Sequence, residues 1–355
     1  MSEVSLDMDK LEALSGKVVT DITGAIGVLL SYIGDQSGVY KALETHGPCS
    51  ASQLATATGL NERYLKEFLS SNVGSGYVTY DSQTDEFSIT PEQAAVLAHE
   101  GEPTCVQGFI QAVVGQYATY DTALDVFKTG HGRPWSEHHI CCFCGTDRVF
   151  GPQYEANLID SWIPSLDGIQ AKLESGGKVA DVACGHGSSA ILMAENFPNS
   201  TIHGFDSHEP SIEVARGKAK EAELSNVEFF VSTAKEIPNN GYNFACIFDA
   251  LHDMGDPVGA AKHINDVLAE DGTFMLVEPL AGDTLEENLN NPLSALFYGF
   301  STLVCVPCSK AQEVGLGLGA QAGQVRLTKV LNEAGFKQVR RTTETHTNMI
   351  LEVRA

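Results

Sequence analysis

The chain has 355 residues, 43% hydrophobic and 19% charged, which is typical of a soluble globular protein with two domains or one large domain. Its formal net charge of −24 argues against a polyanionic partner, because nucleic-acid affinity depends on Lys and Arg neutralising phosphates. The acidic N-terminus does not resemble a targeting signal, and no uninterrupted apolar run reaches the roughly 18 residues of a membrane span. We therefore expect a cytoplasmic protein without a membrane partner, and its nine cysteines are expected to be reduced.

The first hundred residues follow the element order of a winged helix-turn-helix. Apolar residues at helical spacing predict a long amphipathic helix over 9–33. Three shorter helices are predicted next, at 39–43, after an N-cap at Ser50, and over 62–72 after an N-cap at Asn61. A β-hairpin is then predicted from the runs 77–80 and 87–90. Helices followed by a hairpin are typical of a winged helix.

Such a module binds DNA in some proteins and serves as a dimerisation or lid domain in others. Residues 1–100 contain five Lys and Arg against 14 Asp and Glu, a net charge of −9. The helix that would enter the DNA groove places Glu62 and Glu67 where phosphates would lie. We therefore expect no nucleic-acid partner.

From Gly177 onward, strand-like runs alternate with helical ones, which predicts βαβ units and a doubly wound parallel sheet. The predicted strands are 178–182, 201–205, 227–231, 244–248 and 273–277, with helices over 188–196, 211–223 and 257–269. Two further runs, 336–340 and 349–353, predict a terminal strand pair. The predicted domains are therefore 1–100, a helical linker and lid over 101–175, and an α/β domain over 176–355.

A glycine-rich turn follows the first strand of the α/β domain. Ala183, Gly185 and Gly187 place small residues where a backbone must approach a ligand closely. The second strand ends 25 residues after the first, at Asp206, where an acidic residue can bind ribose hydroxyls. The combination predicts a nucleotide-type cofactor site.

Spacing alone leaves a dinucleotide possible, because Ala190 stands at the third glycine position of that fingerprint. Asp181, at the start of the turn, would repel a pyrophosphate but suits the ammonium group of methionine. The acidic residue thus favours S-adenosylmethionine over NAD.

The turn at 181–187 and the Gly-Phe-Asp run at 204–206 resemble motifs I and II of class I S-adenosylmethionine-dependent methyltransferases. The chain resembles most a largely bacterial group of winged-helix small-molecule methyltransferases, through the runs 62–68, 162–168, 251–257, 277–279, 296–299 and 318–323. The resemblance covers nearly the whole chain. It implies a seven-stranded Rossmann-like sheet with an antiparallel last strand, a small-molecule methyl acceptor, and a homodimer formed through an N-terminal winged-helix domain.

The resemblance also implies which residues surround the cofactor. The turn would line the methionine, the end of the second strand would take the ribose hydroxyls, and the segment 232–235 would pass the adenine edge. Many relatives have Asp where Thr233 stands, although a Thr hydroxyl can also accept a hydrogen bond. The expected cofactor-binding residues are Asp181, Ala183, Gly185, His186, Gly187, Asp206, Ser207, Thr233, Ala234 and Asp249.

His252 follows the fourth strand, at the sheet edge where ligands bind in open α/β proteins. Methyl transfer to a hydroxyl requires removal of a proton, and imidazole suits that task. Asp253, or Glu278 at the end of the fifth strand, could orient the imidazole. The His-Asp pair also resembles that of plant small-molecule O-methyltransferases, in which His is the base. The alternative interpretation makes His252 a helix-start residue bonded to backbone.

Three further features concern the acceptor. Residues 283–308 are expected to cover it, with Phe297 and Tyr298 either walling an apolar pocket or belonging to the core. Asn348, in the last hairpin, is a candidate polar contact.

Six His and Cys residues fall between His131 and Cys144. Cys141 and Cys144 have a ligand-like spacing, but no second nearby pair completes a tetrahedral set, and Cys305-x₂-Cys308 is distant in sequence. We expect no metal and instead a substrate contact by Trp135 or His138, with a thiol or arsenic acceptor left open.

The leading hypothesis is therefore S-adenosylmethionine-dependent methyl transfer to a small molecule, on oxygen first and on sulfur or nitrogen as alternatives, with His252 as general base. The competing hypothesis is a winged-helix regulator that binds S-adenosylmethionine as a signal; the acidic module and His252 argue against it.

Overall fold

The structure is a computed structural model that describes residues 6–355; residues 1–5, which contributed to the interpretation of the N-terminus, lie outside the described part. Two compact units are present, one of Met1–Tyr117 with Cys144–Val149 and the other of Ala118–Phe143 with Phe150–Ala355. Their boundaries differ from the predicted domain limits, and the three-part division of the chain stays a prediction.

The first unit has the predicted order of helices followed by a hairpin. Its elements are α1 (Met8–Gln36), α2 (Val39–His46), α3 (Ala51–Thr58), α4 (Glu62–Gly74), β1 (Thr79–Asp81), β2 (Glu86–Ser88), α5 (Pro91–Leu97) and α6 (Gln107–Tyr117). Both predicted caps are confirmed, because the Ser50 and Asn61 side chains accept hydrogen bonds from the first-turn amides of α3 and α4. The winged-helix prediction for this region is confirmed.

Helix α1 is apolar on average over a longer stretch than its uninterrupted apolar runs indicated. Among the described residues, it is the single helix long and apolar enough to cross a membrane, a test that core helices and signal sequences also pass. Only 6% of its most apolar 18-residue window is buried. A stripe of its aliphatic side chains is exposed, from Leu14 (60%) and Val18 (46%) to Ile22 (59%) and Ile26 (55%).

The second unit contains a seven-stranded sheet in the order β5-β4-β3-β6-β7-β9-β8. Its strands are β3 (Lys178–Val182), β4 (Thr201–Asp206), β5 (Val227–Val231), β6 (Tyr242–Phe248), β7 (Leu268–Pro279), β8 (Gln338–Glu344) and β9 (Asn348–Arg354). Strands β3 to β7 are parallel, and β9 lies antiparallel between β7 and β8. The predicted sheet with its antiparallel last strand is confirmed.

The remaining helices connect or flank these strands. They are α7 (Tyr120–Thr129), α8 (Ile140–Asn157), α9 (Ile169–Ser175), α10 (Ser188–Asn196), α11 (Glu209–Glu221), α12 (Pro257–Val267), α13 (Leu285–Asn288), α14 (Ser294–Phe300), α15 (Val306–Lys310) and α16 (Gln324–Glu333). Two apolar clusters pack against the sheet, in which strand residues such as Val179 and Ile247 are fully buried. Burial on both faces explains why the central strand β6 and residues 274–277 of its neighbour β7 are almost entirely apolar.

Several predicted boundaries differ from the structure, and two of the differences have identifiable reasons. Helix α12 ends at Val267 instead of 269, because Leu268 pairs with Tyr242 and starts β7 five residues before the predicted strand. Strand β8 begins at Gln338 instead of 336, because Phe336 is buried in the core with its ring 5.8 Å from that of Phe274.

Candidate active site

The glycine-rich turn after β3 contains three residues with positive φ, namely Ala183 (60°), Gly185 (52°) and Gly187 (78°). A Cβ at Gly187 would lie 2.7 Å from the Phe229 ring and 2.8 Å from the Ala215 methyl group, so glycine permits close packing there. A Cβ at Gly185 would meet nothing within 4 Å. The backbone at Gly185 is therefore open to a ligand, as the sequence predicted for a cofactor turn.

Asp206, at the end of β4, is tied to this turn. Its Oδ2 accepts a hydrogen bond from the Gly185 amide at 2.9 Å, and its Oδ1 accepts one from the His208 amide at 2.8 Å. A carboxylate has about four acceptor positions, so two remain for ribose hydroxyls. Burial raises the pKa of Asp206 despite these amides. Ser207 beside it is exposed and His186 in the turn is half-buried. The open backbone at Gly185, with an acidic residue beside it, fits S-adenosylmethionine.

Asp181 lies beneath the turn and is fully buried. Its Oδ2 accepts a hydrogen bond from the Ser189 hydroxyl at 2.5 Å, which links β3 to α10. Its Oδ1 is buried without a hydrogen-bond partner, and burial raises the pKa of Asp181 to about 7. The residue supports the turn from below, and its contact with the methionine ammonium stays a prediction.

Thr233 and Ala234 follow β5 on the same edge of the sheet. The Thr233 hydroxyl is exposed and donates to Glu236 at 2.8 Å, which leaves its oxygen able to accept a hydrogen bond. Ala234 is half-buried against the core. The adenine contact of this segment stays a prediction.

The three predicted catalytic side chains converge at the ends of β6 and β7. His252 lies in a short 3₁₀ turn, Leu251–Asp253, where its Nδ1 forms a hydrogen bond with Glu278. The Glu278 Oε1 also accepts hydrogen bonds from the backbone amides of Leu251 and His252, at 3.0 and 3.3 Å. On the other side of the ring, Nε2 lies 3.2 Å from the Asp253 Oδ1. The imidazole is thus held between two carboxylates.

Burial and charge act in opposite directions on this imidazole. Burial alone would lower the pKa of His252, but the carboxylates of Glu278 and Asp253 outweigh it and raise that pKa well above its ordinary value. Burial also raises the pKa of Asp253 and, well above its usual range, that of Asp249. The site therefore stabilises a positively charged His252.

Asp249 directly follows β6 with a φ of 48°, unusual for a residue with a side chain. The buried amide of Asn348 donates to both of its carboxylate oxygens, at 2.7 and 2.8 Å. Asn348 therefore contacts Asp249, itself an expected cofactor residue, and its contact with the acceptor stays a prediction.

Cys305 is the residue of this site that the sequence analysis missed as a neighbour of His252. A single π-helical turn, Ser301–Cys305, joins α14 to α15 and brings the Cys305 thiol within interaction range of His252 and Asp253. Burial raises the pKa of Cys305 to about 12. The sequence feature that could have drawn attention to Cys305 was its Cys305-x₂-Cys308 spacing.

His138 does contact one of these cysteines, although 170 positions separate them. Its Nδ1 pairs with a guanidinium nitrogen of Arg133 at 3.0 Å, so Nδ1 accepts and Nε2 carries the hydrogen towards the Cys308 sulfur at 3.4 Å. Burial, with the charge of Arg133, lowers the pKa of His138 to about 3. Trp135 packs on the ring, with centroids 5.7 Å apart. A substrate contact by His138 or Trp135 stays a prediction.

The sequence spacing of Cys141 and Cys144 does not predict which cysteines lie together in the structure. Cys142 instead joins Cys305 and Cys308 in one buried cluster, whereas Cys144 belongs to the other compact unit. On α14, Phe297 and Tyr298 are half-buried, and the Tyr298 oxygen accepts a hydrogen bond from Asn288 at 3.2 Å. Their role as pocket walls stays a prediction.

Comparisons with known proteins agree with this architecture. A family model described as "Methyltransferase domain" matches residues 173–335, and one described as "Rv2258c-like winged HTH domain" matches residues 24–99. Demethylmenaquinone methyltransferase of Listeria monocytogenes is 28% identical over 179 residues, which are 48% of this chain and 73% of that protein.

Two solved structures share the fold along almost the whole chain. The mitomycin 7-O-methyltransferase MmcR has a TM-score of 0.71 at 19% identity, covering 98% of this chain and 100% of its own. Human N-acetylserotonin methyltransferase in complex with SAM has a TM-score of 0.70 at 15% identity, covering 100% and 99%. Because the methyltransferase-domain match spans β3 to β7 with the cofactor turn and the winged-helix match spans residues 24–99, the chain is an S-adenosylmethionine-dependent methyltransferase with an N-terminal Rv2258c-like winged-helix domain.

Proposed function

We propose that this enzyme methylates a hydroxyl oxygen of a small molecule and that His252 is the general base. The observation that carries the proposal is the imidazole held between Glu278 and Asp253 at the carboxyl edge of the sheet. Bound S-adenosylmethionine supplies an electrophilic methyl group on a sulfonium. The remaining requirements are an aligned acceptor, exclusion of water and a group that takes the hydroxyl proton.

The hydrogen-bond pattern defines a direction for that proton. Nδ1 donates to Glu278, and the Nε2 proton of the charged form has to leave before the acceptor proton can move there, so the base is the neutral His252 with its lone pair on Nε2. The acceptor hydroxyl would give its proton to Nε2 as bound S-adenosylmethionine supplies the methyl group. Glu278 is held by two backbone amides and stabilises the resulting imidazolium. Asp253, beside Nε2, favours the same charged form.

The names of two structural neighbours support a small molecule as the acceptor, and one of the two names supports oxygen as the methylated atom. One is named as a mitomycin 7-O-methyltransferase, and the other as an N-acetylserotonin methyltransferase. A buried imidazole base is needed for a hydroxyl, whose proton is held tightly, and less for a thiol that ionises near neutral pH. Sulfur and nitrogen acceptors are the alternatives that the experiment distinguishes.

The test uses panels of phenols, aliphatic alcohols, thiols and amines, with S-adenosylhomocysteine formation as the readout. For any acceptor found, His252→Ala should lower kcat by at least about a hundredfold and leave S-adenosylmethionine binding intact. Exposed His46 on α2 provides the matched control, His46→Ala, which should keep full activity. Near-normal turnover by His252→Ala would eliminate the base role, and methylation of thiols alone would eliminate the hydroxyl acceptor.

We also propose that the enzyme is a homodimer formed through its N-terminal domain. The exposed stripe on α1 recurs every three or four residues, through Leu14, Val18, Ile22 and Ile26. Burying such a stripe against the same stripe of a second copy removes apolar surface from water on both chains.

A further inference from the structure

A second kind of chemistry is available to the residues around His252. One ligand atom each from His252, Asp253 and Cys305 lie within 4.8 Å of one another. His252 and Cys305 are buried, and Asp253 is half-buried. The Oδ1 of Asp253 is itself buried without a hydrogen-bond partner, 3.2 Å from the His252 Nε2. A buried carboxylate oxygen needs a donor or cation to compensate its desolvation, and the groups beside this one are the His252 imidazole and the Cys305 thiol, both of which can bind a metal.

The three side chains offer the nitrogen, oxygen and sulfur donors that zinc prefers in proteins. Three protein ligands with a fourth position open are typical of zinc sites that admit a further ligand. Glu278 completes the pattern, because a carboxylate on the other ring nitrogen orients a ligating histidine and raises its basicity. The acidic neighbours that make His252 a strong base therefore also make it a strong ligand.

We propose that His252 Nε2, Asp253 Oδ1 and Cys305 Sγ bind one Zn²⁺ ion, and that this ion inhibits methyl transfer. On binding, the Cys305 thiol and the Nε2 of a protonated His252 each release a proton to solvent, and a zinc–sulfur bond and a zinc–nitrogen bond form. The zinc then occupies the Nε2 lone pair that would accept the substrate proton. Binding itself does not depend on the proposed function, whereas inhibition rests on the base role of His252.

The binding test uses the full-length protein, reduced with a phosphine, dialysed against a chelator and titrated with zinc chloride in competition with a chromogenic zinc indicator. We expect one equivalent of zinc with a submicromolar Kd. Cys305→Ser and Asp253→Asn should weaken it at least tenfold, and Glu278→Gln by about 10- to 100-fold. Cys105, a half-buried cysteine of the other compact unit, provides the matched control Cys105→Ser, which should bind zinc as the wild type does.

A cadmium titration identifies the sulfur ligand directly, through the ultraviolet thiolate-to-cadmium charge-transfer band. The band should appear in the wild type and in Cys105→Ser but be absent in Cys305→Ser. Failure to bind an equivalent of zinc, or wild-type affinity in both Cys305→Ser and Asp253→Asn, would overturn the proposal. If Cys305→Ser does not fold, the zinc affinity of Asp253→Asn alone tests the proposal. If zinc binds but does not inhibit methyl transfer, the proposed inhibition is wrong and His252 is not the general base. The proposed zinc site is not contradicted by that result.

Discussion

The side-chain amide of Asn348 donates hydrogen bonds to both carboxylate oxygens of Asp249, which lies 99 positions earlier in the chain. The bond links the start of β9 to the end of β6 at the edge where the cofactor turn lies. It holds Asp249 in a backbone conformation with a φ of 48°, which costs free energy unless neighbouring contacts enforce it. We therefore predict that Asn348 affects cofactor binding by positioning Asp249, an expected cofactor residue.

Removing this amide should weaken cofactor binding. In Asn348→Ala, Asp249 loses both hydrogen bonds from the Asn348 amide. We expect the Kd for S-adenosylmethionine to rise about tenfold, equivalent to about 1.4 kcal/mol. Asn348→Asp should weaken binding further, because it places a second carboxylate against the first. Isothermal titration calorimetry measures both. Exposed Asn290 gives the control Asn290→Ala, and equal affinities across all four proteins would contradict the positioning role.

Much of this edge of the sheet could be predicted, because its signals are local. A strand ending in Asp181, small residues in the turn and a second strand ending in Asp206 are periodic or adjacent features of the sequence. The same holds for His252, which lies four residues after the end of β6, and for Glu278, which lies at the end of β7. Parallel strands bring their carboxyl ends together, so the convergence followed from the topology.

The contacts that could not be predicted join segments whose connection depends on side-chain packing. His138 meets Cys308 across 170 positions, and Cys305 reaches His252 only through the π-helical turn that precedes α15. No periodicity in the sequence specifies an extra residue within a helical turn. The burial of Asp181 beneath the turn, where its carboxylate accepts a hydrogen bond from Ser189, likewise has no local signal in the sequence.

The charge on Asp181 should make the fold less stable at neutral pH than at acidic pH. Burial raises its pKa from 3.8 to about 7, so the folded protein binds this proton more tightly than the unfolded chain does. Stability is therefore lost as pH rises from 3.8 to about 7. Asp181→Asn has no carboxyl group at this position and does not lose this stability. The difference in melting temperature between Asp181→Asn and the wild type should therefore increase between about pH 5 and pH 7 and then level off.

Ser189→Ala provides the opposite change to the same carboxylate. The Ser189 hydroxyl donates to Asp181 and stabilises the ionised form, so its removal should destabilise the protein more at pH 8 than at pH 5. Calorimetric melting at several pH values measures both variants. A pH-independent difference between Asp181→Asn and wild type would show that the carboxyl does not titrate in this window.

The two glycines of the cofactor turn should respond differently to the same substitution. Gly187→Ala places a methyl group 2.7 Å from the Phe229 ring at a φ of 78°, and we expect a loss of about 2–3 kcal/mol in the free energy of unfolding. Gly185→Ala meets open space, so its cost comes mainly from backbone conformation, about 1 kcal/mol. Its methyl group lies where the cofactor approaches and should raise the Kd for S-adenosylmethionine at least tenfold. Chemical denaturation and calorimetric titration separate the two effects, and equal losses of stability would contradict this division of roles.

The proposed dimer depends on the exposed stripe of α1, and a single charge in its centre should disrupt it. Ile22 is 59% exposed, so Ile22→Glu leaves the fold of one chain intact but buries a carboxylate in the interface. Thr20 is also exposed and lies on the opposite side of the helix at 100° per residue, which makes Thr20→Glu the matched control. Light scattering after size exclusion should give twice the 38.0 kDa chain mass for the wild type and for Thr20→Glu, and the chain mass for Ile22→Glu. A wild type that is monomeric at micromolar concentration, or an Ile22→Glu variant that stays dimeric, would show that this stripe is not the dimer interface.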